Sequence, residues 1–286
     1  MRLSRPLSNT FRSLRVDVRI DQSTMLSAIL KLIPRRVKRS LARVIFAGSR
    51  YQCPLCGFAG NSLGPVGIDL PLFRENRIIG AGLRAASCRL CYSWDRERLL
   101  YLYLARESGW LERAESVRVL HIAPEPRLSQ RLSEAGFRDY VCGVRHEPGY
   151  VYPEGTPDLD ATNLSFADCS FDLIICNHVL EHITDDRRAM RELFRVLKPG
   201  GEAILQVPLA LDFESTREDA SIATPQARLS AYGQEDHVRL YGRDYASRLR
   251  GCGFEVECLG MGHKYPDAGL NPDEQLHVCL RPHAMG

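Results

Sequence analysis

What this chain has little of narrows its class first. No apolar run approaches the eighteen or so residues of a bilayer span. The best candidate, Met25 to Ile33, is short and is broken by Lys31 and Pro34. No small-residue cleavage site follows a clean apolar stretch, so a secretory signal peptide is not expected. No internal repeat is visible. The G-x-G-x-x-G turn is missing too, which argues against a nicotinamide-dependent dehydrogenase. What is there fits a globular protein, with 44% hydrophobic and 26% charged residues in a chain of 286. That length accommodates one large domain and a smaller one.

The net charge of +3 is unevenly spread: residues 1–50 hold twelve Lys or Arg and two Asp, so the remainder is mildly acidic. Residues 1–24 lack a sustained apolar period and read as disordered, or as lying ahead of a true start at Met25. Residues 25–50 read as a basic amphipathic helix with two stripes. Leu26, Ile29, Leu30 and Ile33 form the first. Val37, Leu41, Val44 and Ile45 form the second, among Arg35, Arg36, Lys38, Arg39 and Arg43. Such a helix packs on its own protein, or suits an anionic membrane surface or nucleic acid.

Four of the ten cysteines form two C-x-x-C pairs, Cys53 with Cys56 and Cys88 with Cys91. Each pair can supply one edge of a zinc tetrahedron. Paired C-x-x-C units favour metal in a reducing compartment over disulfides, which places the protein in the cytoplasm. A redox pair is the alternative. The gap between the pairs is longer than the usual ribbon spacing, and its apolar residues suffice for small strands. The arrangement over residues 51–95 resembles a zinc ribbon, closed by four thiolates and therefore structural. The other six cysteines read as core filling.

From residue 96 the pattern is α/β. Strands are predicted over Val117–Ile122, Tyr140–Val144, Phe171–Cys176, from Glu202, over Phe254–Leu259 and over Gln275–Leu280, with a poorly marked one near Pro157–Leu159. Helices are predicted over Arg96–Ser108, Pro126–Ala135 and Tyr241–Gly251. Residues 209–236 form a polar connection too long for an idle loop. The most informative stretch is FDLIICNHVLEHITDDRRAMRELFRVLKPGGEAILQV, from Phe171 to Val207. A buried strand runs into the polar group Asn177, His178, Glu181 and His182. An amphipathic helix follows, Lys198-Pro-Gly-Gly201 stops it, and a second buried strand starts. In open α/β sheets ligands bind at the carboxyl ends of such strands.

Leu180-Glu-His182 followed by Leu197-Lys-Pro-Gly-Gly201 resembles the class I S-adenosylmethionine-dependent methyltransferases. Together with HIAPEP (121–126) and the cysteine pairs, it is similar to a bacterial group of type-11-like methyltransferases carrying an N-terminal zinc ribbon. The resemblance spans about residues 25–280. It implies a Rossmann-like seven-stranded sheet over residues 96–286, with S-adenosylmethionine and zinc bound. It also implies a cofactor site near His121, Ala123, Glu125, Asp160, Ala161, Asn177 and His178, with Asp160 on the adenine amino group and Glu125 facing the cofactor's ammonium. Two stretches depart from the family pattern. Ala123 and Glu125 stand where glycines are common, and Val144 stands where an acid usually holds the ribose, with Glu147 as a substitute. The implied catalytic base is His237, in Gly233-Gln-Glu-Asp-His-Val-Arg, with His178 second. A small-molecule or glycan acceptor is expected. RNA is the alternative, though the cysteine module offers few aromatics for stacking. A non-catalytic binding protein on the same fold is the other.

Overall fold

The structure is a computed structural model and describes residues 34–146 and 154–283. Residues 1–24, the Met25–Ile33 stripe and Glu147 lie outside the described residues. The chain enters through α1 (Arg35–Ile45) and β1 (Ala47–Gln52). Ala42 of α1 is buried against Leu55 and Leu90. Its stripe of Val37, Leu41, Val44 and Ile45 is exposed. β1 pairs with β2 (Ala59–Gly60), and β3 (Gly64–Val66) pairs with β5 (Arg84–Ser87), both antiparallel. Between β3 and β5 lie α2 (Pro71–Glu75) and β4 (Ile78–Ile79).

The two cysteine turns are built alike. The Gly57 and Tyr92 amides donate to the Cys53 and Cys88 carbonyls at 2.8 and 3.0 Å. The Cys53 and Cys88 amides donate to the Phe58 and Ser93 carbonyls, both at 2.9 Å. The residue after each second cysteine is left-handed, Gly57 at φ 71° and Tyr92 at φ 64°. Glycine takes that conformation freely, whereas tyrosine carries strain there.

The helix α3 (Asp95–Arg106) joins this module to the main sheet. Its Arg98 is wholly buried and donates to four carbonyls: Ala86 at 2.9 Å, Ser93 at 2.7 Å, Ala268 at 2.7 Å and Gly269 at 2.6 Å. One guanidinium thus ties the cysteine module to the C-terminal segment. Arg98→Met is expected to cost about 3 kcal/mol or more, because four buried carbonyls lose their charged donor. A urea midpoint unchanged from wild type would contradict this.

The sheet is built from β6 (Arg118–Ile122), β7 (Asp139–Gly143), β8 (Phe171–Asn177), β9 (Leu197–Gln206), β11 (Glu255–Gly260) and β12 (Gln275–Leu280). Between them run α4 (Pro126–Ser133), α5 (Asp186–Val196), β10 (Leu209–Ala210), α6 (Pro225–Tyr232) and α7 (Tyr245–Arg250). The order is β11-β12-β9-β8-β6-β7, with β12 antiparallel to both neighbours and the remaining pairs parallel. Among the described residues the sheet therefore has six strands where seven are expected. The third strand is reduced to one parallel bridge, Val144 to Asp158. Pro157 offers no amide to a ladder, and of Pro157–Leu159 only Leu159 is buried. The Lys198–Gly201 turn does not separate α5 from a strand starting at Glu202. It opens β9, with Leu197 opposite Phe171 before the register shifts.

Apolar side chains fill both faces. Ile174, Leu205, Met190 and Leu193 pack with α5 and α7 on one side, and Leu173, Ile175, Leu100 and Leu128 with α3 and α4 on the other. The chain leaves β6 toward β7 on one side and β8 on the other, which opens a crevice at the carboxyl ends.

The cysteine module is not a separate unit ending at residue 95. β4 pairs with β10, Leu209 opposite Ile79, and Arg77 binds Asp212 at 2.7 Å. The segment between the two cysteine pairs thereby lies across the end of the main sheet. Among the described residues no helix is long and apolar enough to cross a membrane.

Candidate active site

At the end of β8 the backbone turns sharply. His178 is left-handed, with φ 53°, while its amide donates to the Gln206 carbonyl at 2.7 Å. A non-glycine residue held there costs about 1–2 kcal/mol, and such residues cluster at functional sites. The following turn, Leu180–His182, is pinned by Arg239, which is buried and donates to the Leu180, Ile183 and Thr184 carbonyls. The His-Val-Arg segment thus holds the Leu-Glu-His turn.

Two clefts open on either side of this corner. The first, about 940 Å³, is lined by Ile122, Ala123, Val144, Asp160, Ala161 and Thr162 from the sheet's end. Its size suits a nucleoside-sized ligand. Ala123 is left-handed, at φ 50°, and its amide donates to the Gly143 carbonyl at 2.9 Å. Relief of its strain outweighs the entropy of a new glycine. Ala123→Gly is therefore expected to raise stability by about 0.5–1 kcal/mol, read as a higher Tm.

Three residues expected to meet a cofactor are buried beneath this loop instead. The Tyr140 hydroxyl lies 2.8 Å from His121 Nδ1, His121 Nε2 lies 3.1 Å from Glu125 Oε2, and Asn177 Nδ2 donates to Glu125 Oε1 at 3.2 Å. One neutral tautomer satisfies both imidazole contacts, with the phenol donating to Nδ1 and Nε2–H donating to the carboxylate. Burial works to raise the Glu125 carboxyl, but His121 outweighs it and the net shift is downward. Glu125 is thus committed to His121 and Asn177, and does not face the cleft. Asp160 does line the cleft. One of its oxygens accepts from the Thr162 amide and hydroxyl, at 2.8 and 2.7 Å, and the other from Arg145 at 3.0 Å. Val144 stands at the cleft wall with no acid to offer.

The second cleft, about 660 Å³, lies between the cysteine module and the sheet. Ile68, Phe73, Gly80, Arg84, Trp94 and Arg96 line it from the module, and Glu181, Gly233 and Glu235 line it from the other side. None of the six module residues was marked by the sequence as functional. The only signal for them is the unusual length between the cysteine pairs. At Gly80 a side chain would press on the His178 ring, since a Cβ there would sit 2.9 Å from Cε1. Arg84 is held by Asp95 at 2.7 and 2.8 Å. Arg96 stacks over Trp94 with its guanidinium 4.7 Å from the ring centre, and its buried Nε has no hydrogen-bond partner.

His178, His182 and Asp236 belong to both clefts. His178 Nδ1 lies 3.5 Å from Glu181 Oε1, and its Nε2 is buried without a partner. Burial first, then the charges of Arg96 and Arg84, hold its imidazole well below the ordinary histidine value. Burial pushes the Glu181 carboxyl up to about 8. His182 Nδ1 lies 3.1 Å from Asp236. His237, the first base implied by the sequence, lines neither cleft. It is buried behind His182, ring against ring at 4.6 Å, and burial lowers it to about 4.

Away from this corner, the four paired cysteines converge. Cys53 and Cys91 sulfurs are 3.7 Å apart, as are those of Cys56 and Cys88. All four lie within 4.8 Å of one another. Of the other six, Cys176, Cys252 and Cys279 fill the core, Cys142 and Cys169 are half-buried, and Cys258 is exposed.

Residues 111–205 match a sequence family described as a methyltransferase domain. A protein of Encephalitozoon cuniculi named "Putative methyltransferase" is 38% identical over 147 residues, 50% of this chain and 67% of the relative. A Mycolicibacterium smegmatis protein named "Probable S-adenosylmethionine-dependent methyltransferase" is 31% identical over 193 residues, 61% of this chain and 69% of its own. The match to a solved structure titled "putative methyltransferase", from Bacillus halodurans, covers 52% of this chain and 69% of that one, at 19% identity and TM-score 0.38.

Proposed function

Since the chain belongs to the S-adenosylmethionine-dependent methyltransferases, we propose that it methylates a small anionic acceptor seated between the cysteine module and the sheet. The observation carrying this reading is that two clefts of different chemistry share His178. In it the cofactor occupies the cleft at Ala123, Asp160 and Ala161. Ala123 lets the backbone come close, and Asp160 takes the adenine amino group alongside Arg145. Without a ribose acid at Val144, the sugar hydroxyls face an apolar wall, which weakens binding by about 1–3 kcal/mol relative to a paired site. When bound, S-adenosylmethionine supplies a methyl group on a sulfonium.

The protein's own residues do the rest. Arg96, lacking an internal acceptor, takes the acceptor's carboxylate or phosphate while Trp94 and Phe73 cover its body. A charge-assisted contact of that kind orients as well as binds. His178 Nε2 would accept the proton released by the acceptor's hydroxyl or amine as the acceptor's oxygen or nitrogen takes the methyl carbon and the S–CH3 bond breaks to leave a neutral thioether. Glu181 steadies Nδ1. An anion on Arg96 offsets the charge that holds His178 down, so the base strengthens when substrate arrives. The four cysteines hold zinc: a tetrahedron with bonds of ~2.3 Å has edges of about 3.8 Å, beside the 3.7 Å found. The metal shapes the module that carries Arg84, Trp94 and Arg96.

The test uses tritiated S-adenosylmethionine with pools of anionic metabolites, neutral glycosides and transfer RNA. Label should enter the anionic pool, and Arg96→Met should raise KM there by about tenfold or more. Label confined to RNA or to neutral glycosides would overturn the reading.

A further inference from the structure

We propose that Glu181, His182 and His237 bind a divalent transition-metal ion at the floor of the acceptor cleft, a second metal site separate from the four cysteines. The ligand atoms of these three residues lie within 4.8 Å of one another. Two of them are orphans. Glu181 Oε2 and His237 Nε2 are both buried and both lack a hydrogen-bond partner. Glu181 is 1% exposed and His237 2%. A carboxyl and an imidazole could satisfy each other directly, yet here they face a common space without meeting. Leaving them unpaired costs about 1–3 kcal/mol each, and a cation between them removes both penalties.

The surroundings carry the same signature. His237 Nδ1 is 3.2 Å from the Tyr232 carbonyl. A carbonyl only accepts, so Nδ1 holds the proton and Nε2 keeps the lone pair. His182 Nδ1 is 3.1 Å from the Asp236 carboxylate. A metal-bound histidine is commonly oriented in these ways, its second nitrogen held by a carbonyl or carboxylate. The rings are set edge to face at 88°, so they approach from different directions. Bonds of ~2.1 Å to nitrogen and oxygen require donors about 3.4 Å apart, which side-chain rotation supplies.

Two imidazoles and one carboxylate favour zinc, iron(II), cobalt(II) or manganese over magnesium or calcium. Three ligands leave positions open, and Glu181 and His182 line the acceptor cleft. The ion is therefore placed to ligate an acceptor oxygen and make its proton more acidic, an aid to His178 with no redox change. That use rests on the acceptor reading above, whereas the binding itself does not.

The test is metal stoichiometry after equilibration with zinc chloride and gel filtration, read by plasma mass spectrometry. Wild type should carry two equivalents. Glu181→Gln, which preserves shape, and His237→Ala should each carry one. Cys88→Ser should lose the other and keep this one. S-adenosylhomocysteine binding by calorimetry and circular dichroism report that each variant is folded. One equivalent in wild type, or two retained in both Glu181→Gln and His237→Ala, overturns the site. If homocysteine-form cofactor binds while the second equivalent is absent, this inference fails and the methyltransferase reading stands.

Discussion

His178→Ala is expected to lower kcat by about 10²–10⁴-fold, the usual contribution of a positioned base, while leaving S-adenosylhomocysteine affinity within a few-fold of wild type. The reasons are local. His178 is the side chain at which the two clefts touch, and its Nε2 has no other duty in the protein. The cofactor cleft has many other walls, from Ile122 to Thr184, so losing one imidazole leaves it intact. The pH profile carries a further signature. Because the folded histidine sits well below its ordinary value, it is already unprotonated near neutrality. Protonation of this ring should therefore contribute no acid limb to the wild-type kcat/KM profile near pH 6.5, its own limb falling at lower pH, apart from any limb that Glu181 adds near pH 8. A His237→Ala variant isolates the alternative, since a base there would give the larger loss in kcat. Equal activity of His178→Ala and wild type would remove the role assigned to this residue.

Cys88→Ser is expected to do damage of another kind. Structural zinc in small modules contributes binding free energy of ~10 kcal/mol or more to folding. Without one thiolate the two cysteine turns lose their common centre. The segment from Ala59 to Ser87 has only short strands and one five-residue helix, α2, with no buried residue, so beyond the β4–β10 pairing and the Arg77–Asp212 and Arg84–Asp95 pairs the cysteine centre is what sustains it. Its loss removes Ile68, Phe73, Gly80 and Arg84 from the acceptor cleft. The cofactor cleft draws none of its lining from this segment. The expected phenotype is therefore split: fast hydrogen exchange over residues 59–87 and loss of turnover, with cofactor binding retained. Zinc content falls by one equivalent. Slow exchange and full turnover in this variant would show that the module stands without metal.

The sheet was legible because its strands carry apolar runs such as Leu173–Cys176, and its helices carry clear stops. Tertiary pairing decided the rest. Among the described residues the third strand is a single bridge at Asp158, beside Pro157 with no amide to extend it, and Lys198–Gly201 was absorbed into β9 because Leu197 pairs with Phe171. The family resemblance implied that His121 and Glu125 face a ligand, whereas burial turned them toward each other and Asn177. The acceptor cleft was the least legible element. It depends on β4 meeting β10, a pairing of two residues with no periodic signal, across more than a hundred residues of chain. His237 read as a base from its motif, yet only the packing of its ring behind His182 shows that it lines neither cleft.

The most direct test of the whole account is a crystal structure of the zinc-loaded protein with S-adenosylhomocysteine. The account places the nucleoside against Ala123, Val144 and Asp160, with the sulfur turned toward His178 and the cleft beneath Trp94 and Arg96 left for the acceptor. A nucleoside seated under Trp94 and Arg96, or a sulfur directed away from His178, would contradict it.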